Sequence, residues 1–201
     1  IVAVTDANFS AETQVSNIET VMAKKPDILV SIPTDATATA DAYKQAAAAG
    51  IKIVFMDQRA DGLEAGKDYV SVVSADNYGN GYASGTVLGD ALGGKGKVAM
   101  VYYDANFAPT NQRDEGFRDA MKNYPDIEIV TEQGFTDESG CAEQGDAILT
   151  QFPNIDGIYA SWEVPMEGVL SAVRAAGMEG KVTLACNDLG NNVAREIASG
   201  N

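Results

Sequence analysis

Short apolar runs alternate with amphipathic stretches along the whole of this 201-residue chain, and this alternation narrows the fold more than any other feature. An unbroken apolar run of a few residues suits a buried strand, whereas apolar recurrence every three or four residues suits a helix with one apolar face. Ile1–Thr5 reads as a strand. Val15, Ile18, Val21 and Met22 then recur at helical spacing until Lys24 and Lys25, cations that suit a helix C-terminus, and Pro26 stops that helix. Next come a buried strand at Ile28–Ile32, an Ala-rich helix ending at Ala49 before Gly50, and a strand at Ile51–Met56. A polar loop over 58–67 leads to a short strand at Tyr69–Ser74. A helix from Tyr78 to Leu92 and a strand from Val98 to Tyr103 open a second series. It continues with a helix near 111–123, a strand at 127–131, a helix near 139–151, a strand at 157–160, a helix at 165–176, a strand at 182–186 and a helix at 191–199.

Strands that are each followed by a helix imply right-handed crossovers with helices on both faces, so the fold class is α/β, an open doubly wound parallel sheet. About eight strands fit two such sheets better than one. The Asp76-Asn77 punctuation and the fresh series after it place a boundary near residue 75, dividing the chain into 1–75 and 76–201. In sheets of this kind ligands bind beyond the carboxyl ends of the strands.

Composition removes whole classes of function. Lys and Arg number 14 against 29 Asp and Glu, a formal charge of −15, and histidine is absent. Such a surface repels nucleic acid and anionic membrane, which are bound by neutralising phosphates. Without histidine there is no Ser-His-Asp or Cys-His catalysis and no His-ligated zinc, so an enzyme here would run on carboxylates, Lys, Cys or Tyr. No apolar run approaches the ~20 residues that span a bilayer. Cys141 and Cys186 show no CxxC spacing, leaving one disulfide or two free thiols.

The residues just past the apolar runs form a consistent set: Asp6-Ala-Asn-Phe9, Pro33-Thr-Asp35, Asp57-Gln-Arg59, Asp104-Ala-Asn-Phe107, Phe135-Thr-Asp137, Ser161-Trp-Glu163 and Asn187-Asp188. Carboxylates and amides exchange hydrogen bonds with hydroxyls, and Trp and Phe faces cover the C–H patches of a sugar ring. Each Asp or Asn could equally cap the helix that follows it. The set as a whole, with Trp162 the sole tryptophan, points to a site for a neutral polyhydroxylated ligand.

Several segments, among them IVAVTDANFSAETQVSNIETVM, LVSIPTDATA, KIVFMDQRA, YVSVVSADNYGNG, NQRDEGFRDAM, FPNIDGIYASWEVPMEGVLSAVRAAG and VTLACNDLG, together resemble the type I periplasmic binding proteins of sugar ABC transporters, in their ribose-binding-protein-like branch. The resemblance implies two Rossmann-like doubly wound parallel-sheet lobes joined by a hinge, with the first lobe, 1–75, incomplete and 76–201 forming the second. It implies an extracytoplasmic solute-binding protein that captures a monosaccharide or small polyol in the interlobe cleft by hinge closure and delivers it to a permease. The location implied is periplasmic or extracytoplasmic, with a lipoprotein anchor if the source is Gram-positive. The protein is expected to be a monomer without cofactor, metal, nucleic-acid partner or catalytic residue.

Carried over residue by residue, the strand-end Asp that chelates sugar hydroxyls falls on Asp57. An Arg of ribose binders is replaced by Gln58, with Arg59 one residue later as a substitute. A second contacting Arg falls on Asn111, while Arg113 holds the helix start. An expected Asn is replaced by Trp162, with Glu163 beside it, and the last expected carboxylate falls on Asn187, with Asp188 adjacent. Phe107 and Trp162 would sandwich the ring. Amides in place of guanidinium groups, and an indole in place of an amide, trade ionic donors for stacking and neutral hydrogen bonds, which points away from ribose itself.

A strand-helix unit before Ile1 and a return segment after Asn201 are absent relative to the family pattern, so the chain reads as a fragment with an uncovered face in its first lobe. The competing reading is the effector domain of a LacI-type regulator, which shares the fold but requires a helix-turn-helix. A carboxylate-based sugar-processing enzyme, with Glu163 and Asp188 as acid and base, is a third. Gly79, Gly81 and Gly85 lack the Lys-Ser/Thr of a phosphate loop and read as glycines that let a helix pack closely.

Overall fold

The computed structural model describes residues 1–200, which form two compact units, Ile1–Ala75 with Ala105–Pro109, and Asp76–Asp104 with the residues from Thr110 onward. Each is organised around its own parallel sheet.

In the first unit the elements run α1 (Ala11–Met22), β1 (Ile28–Ser31), α2 (Ala40–Ala48), β2 (Lys52–Met56) and β3 (Ser71–Val73). The strands lie in the order β1-β2-β3, all parallel, with Ile28 opposite Lys52 and Val54 opposite Ser71. Helix α1 starts where the Ser10 hydroxyl accepts the Thr13 N–H at 3.1 Å, satisfying one of the open amides of its first turn. The core joins Ile18 of α1, Tyr43 and Ala46 of α2, and Ile53 and Phe55 of β2. Phe55 lies edge-on to both Tyr43, at 5.0 Å, and Tyr69, at 5.4 Å. The buried Tyr43 phenol is not left orphaned, since it shares a 2.6 Å hydrogen bond with the Ser31 hydroxyl.

Three expectations for this unit change. Ile1–Thr5 is irregular, with Ile1, Val2 and Val4 exposed, because no strand among the described residues pairs with it and an apolar run becomes a strand only within a ladder. The connection from β2 to β3 is a loop, as the polar stretch 58–67 predicts, so the rule that every strand is followed by a helix fails at β2. That loop covers the core itself, burying Ala60 and Leu63, and turns at Gly62 and Gly66, both at positive φ. Finally, β1 is not buried on both sides. Because α1 and α2 contribute to the same core, Ile28, Val30, Met56 and Val73 on the opposite face stay exposed.

The second unit runs α3 (Asn77–Ala91), β4 (Lys95–Tyr103), α4 (Ala108–Met121, its first two residues belonging to the first unit), β5 (Asp126–Phe135), a 3-10 turn (Glu138–Gly140), α5 (Cys141–Gln151), β6 (Gly157–Ala160), α6 (Glu163–Ala175), β7 (Thr183–Cys186) and α7 (Asn191–Ser199). Its strands are parallel in the order β5-β4-β6-β7. The chain therefore leaves β4 in one direction and β6 in the other. The carboxyl ends of β4 and β6 flank a topological switch point, where open α/β sheets bind ligands.

Close helix packing holds this second sheet. A Cβ on Gly81 would fall 1.8 Å from the Arg113 carbonyl oxygen, and one on Gly116 would fall 2.1 Å from that of Tyr78, so α3 and α4 cross backbone to backbone. This is the packing role expected of the α3 glycines. Beneath them Phe117 stacks on Tyr159 with centroids 4.0 Å apart, in a core shared with Leu88, Val98, Met100 and Ile127. Strand β5 continues to Phe135, beyond the expected end at Thr131, past a bulge at Val130 where its register to β4 shifts. Cys141 and Cys186 are free thiols, each pushed up to about 11 chiefly by burial.

Candidate ligand-binding site

At the carboxyl edge of the first unit, β2 ends at Met56 and the next residue, Asp57, adopts φ +59°. A non-glycine residue in this left-handed region is uncommon, and such strain concentrates at functional sites. The conformation is held by the Asp57 N–H, which donates to the Val73 carbonyl at 2.8 Å, while among the described residues the carboxylate accepts only a long 3.3 Å bond from the Ser74 hydroxyl. Asp57 is half-buried with acceptor capacity to spare. Gln58 is different. Its amide nitrogen donates to the Pro33 carbonyl at 2.6 Å and its oxygen accepts the Ala108 N–H at 2.7 Å, so this buried side chain is spent joining the loops after β1 and β2 to the start of α4. Arg59 is exposed and directs Nη1 to the Leu63 carbonyl at 3.4 Å, and Phe107 is half-buried.

At the edge of the second unit the residues after β6 and β7 are tied to α3 and α4 by Arg113. Its guanidinium donates to Asn77 Oδ1 at 3.1 Å, to the Ser161 carbonyl at 3.2 Å and to Asp188 Oδ2 at 2.6 Å. This role is wider than holding the start of its own helix. Asp188 itself sits at φ +64°, and its side chain remains 48% exposed despite the ion pair. Asn187 is buried and fully engaged, donating to the Tyr159 hydroxyl at 3.0 Å and the Ser161 carbonyl at 3.2 Å and accepting the Ser84 hydroxyl at 3.0 Å.

Trp162 precedes α6 in an extended conformation, its indole edge-on to Tyr103 at 5.8 Å and tilted on Phe135 at 5.3 Å. The indole N–H donates to Glu138 Oε1 at 3.2 Å, and burial pushes the Glu138 carboxyl up despite that bond. Glu163, half-buried, opens α6, and Asn111 is exposed on α4. The second-unit edge thus assembles an aromatic wall beside a carboxylate-rich rim. The guanidinium charge of Arg113 is committed to Asp188.

Sequence reasoning missed Asp114 and Glu138. Asp114 is 2% exposed, accepts the Ser161 hydroxyl at 2.6 Å, and has its carboxyl pushed up to about 7, with desolvation the leading cause and Ser161 and Arg118 pulling against it. The signal was present: Asp114 falls on the same helical face as Phe117 and Met121, so it is a carboxylate set into an apolar stripe. Glu138 carried no such signal, since its partner lies on another element.

The whole chain, residues 1–201, matches the model of the periplasmic binding protein domain family, and it belongs to that family. It is 31% identical over 182 residues to the D-ribose/D-allose-binding protein of Pseudomonas aeruginosa, covering 88% of this chain and 56% of that protein. It is 27% identical over 180 residues to the ribose import binding protein RbsB of Bacillus subtilis, covering 89% and 57% respectively. The chain therefore spans little more than half the length of these relatives. Among solved structures, an ABC transporter periplasmic solute binding protein of Actinobacillus succinogenes with bound D-allose matches with TM-score 0.85 and 32% identity over 94% of this chain and 69% of that one. The myo-inositol binding protein of Caulobacter, bound to myo-inositol, matches with TM-score 0.88 and 25% identity over 98% and 68%. Each of these is named for binding, none for a reaction.

Proposed function

We propose that this chain belongs to an extracytoplasmic solute-binding protein of a carbohydrate ABC importer, and that the carboxyl edges of both units engage one monosaccharide or small polyol, captured by hinge closure and passed to a permease. The observation that carries this reading is the division of labour at the second-unit edge. Trp162 offers a ring held by Tyr103 and Phe135, while the charge of Arg113 is neutralised internally by Asp188. An edge with an aromatic face and carboxylate acceptors, but no uncommitted guanidinium at its centre, suits a neutral polyol better than an anionic ligand. The names of the relatives support the same class.

In this reading Asp57, Asp188, Glu163 and Asn111 exchange hydrogen bonds with hydroxyls, Trp162 and Phe107 cover the ring, and Arg59 borders the site. Gln58 and Asn187 hold the edges, since their amides are already spent on the protein. No bond of the ligand is made or broken, and no cofactor or metal takes part. The protein acts as a monomer outside the cytoplasm, lipid-anchored if the source is Gram-positive.

Calorimetric titration with D-ribose, D-allose, D-xylose and myo-inositol, followed in parallel by Trp162 emission, tests the proposal. Binding of at least one with a change in emission is the expected result. A ligand that binds without moving the emission would remove Trp162 from the site, and heat from sugar phosphates alone would replace the neutral-polyol reading with an anionic one. Asp57→Ala should weaken the bound sugar by ~1–3 kcal/mol, the scale for leaving polar partners unsatisfied.

A further inference from the structure

Ser161 is a fully buried residue at the point where β6 passes into α6. Its carbonyl accepts from Arg113 at 3.2 Å and from Asn187 at 3.2 Å, and its hydroxyl donates to Asp114 at 2.6 Å. One residue therefore joins α4, the end of β6 and the residue that follows β7. The next peptide carries Trp162. Trp162 makes no side-chain cap bond to its helix, and its ring contacts Tyr103, Phe135 and Glu138. Asp114 is 2% exposed and shielded from solvent.

We propose that Asp114 is a positioning residue for the ligand-facing edge of the second unit: through the Ser161 hydroxyl it fixes the Ser161–Trp162 peptide, and with it the indole and the anchorage of Arg113 and Asp188. The proposal rests on the reading of this edge as ligand-facing only for its effect on affinity. Its structural half stands independently. A buried carboxyl group on an apolar helix face is costly unless it is hydrogen-bonded, and the Ser161 hydroxyl supplies that bond. The bond here constrains a hub at the topological switch point rather than a peripheral contact. The charged and titratable groups around Asp114 are Arg113 and Arg118 on its own helix, Glu132 on β5 and Tyr159 on β6.

The test uses the sole tryptophan, with and without sugar. In the free protein, Asp114→Ala should shift Trp162 emission to the red and raise its quenching by acrylamide, with an unchanged far-ultraviolet spectrum. Asp114→Asn, which keeps an oxygen for the Ser161 hydroxyl, should restore both. Should Asp114→Ala fail to fold, Ser161→Ala removes only the hydroxyl and must give the same optical change. Wild-type emission and quenching in a folded Asp114→Ala or Ser161→Ala would overturn the proposal. With D-allose or D-ribose as the titrant, Asp114→Ala should bind about tenfold more weakly, with Asp114→Asn close to wild type. If wild type binds neither sugar, that part of the functional reading fails, while the optical comparison still decides the positioning role.

Discussion

The carboxyl edges of the two units use the same backbone device under different electrostatic loads. Asp57 and Asp188 both stand just beyond a parallel strand at positive φ, a conformation that costs a non-glycine residue of the order of 1 kcal/mol. In the second unit the cost is repaid within the protein, because Asp188 pairs with Arg113, which in turn holds Ser161 and Asn77. In the first unit the Asp57 carboxylate has, among the described residues, only the long bond from Ser74. Strain held by a weaker internal partner leaves the Asp57 carboxylate with acceptor capacity to spare. Asp188 is instead a shared group, part scaffold and part rim.

The largest expected effect sharpens this contrast through the buried carboxyl beneath the second edge. The Asp114 carboxyl is raised from its ordinary value near 4 to about 7, so the folded state holds its proton more tightly than the unfolded state. Its stabilising contribution is present below about pH 4 and is lost as pH rises to about 7, at most about 4 kcal/mol across that window. Urea midpoints measured between pH 4 and 8 should show that slope in wild type, superposed on the other groups, and Asp114→Asn should remove it. An identical pH profile in the variant would place the titration elsewhere.

Next in size, Arg113→Ala should destabilise the protein by about 2 kcal/mol, because it removes at once the ion-pair partner of Asp188, one of the two donors to the Ser161 carbonyl and a donor to Asn77 Oδ1, while Asp188 stays partly hydrated. Chemical denaturation provides the measurement, and a loss below about 0.5 kcal/mol would mean that water substitutes for the guanidinium. The smallest effect has the opposite sign. Asp57→Gly should gain about 1 kcal/mol by relieving the positive φ without breaking an ion pair, whereas Asp188→Gly should show no net gain because the relief is offset by the lost pair with Arg113. Equal responses at the two positions would erase the contrast between the edges.

Much of the fold was legible along the chain. The strand at 157–160 and the helix at 191–199 fall where the apolar pattern places them, since each is a local run with clear polar or glycine flanks. Ile1–Thr5 has an equally strong apolar run, but strand formation needs a neighbour in the ladder, which no local pattern reports. The loop between β2 and β3 defeats the rule of alternation because Ala60 and Leu63 complete the core without a helix. At the site, the positions of Asp57, Trp162 and Asp188 at strand ends could be read from spacing. The roles of Gln58 and Asn187 could not, because both are set by partners at a distance: Pro33 and Ala108 for one, Tyr159, Ser161 and Ser84 for the other.

By itself the sequence determined the α/β class, the order of most elements, the exclusion of histidine chemistry and the row of polar residues beyond the strands. These follow from local periodicity and composition, which every stretch of chain carries with it. Tertiary structure alone decided which of those polar groups are consumed by the protein and which retain capacity for a ligand. A hydrogen bond between α4 and the end of β6, or an ion pair between α4 and the residue after β7, closes only when distant segments meet, and no spacing in the chain encodes its distance.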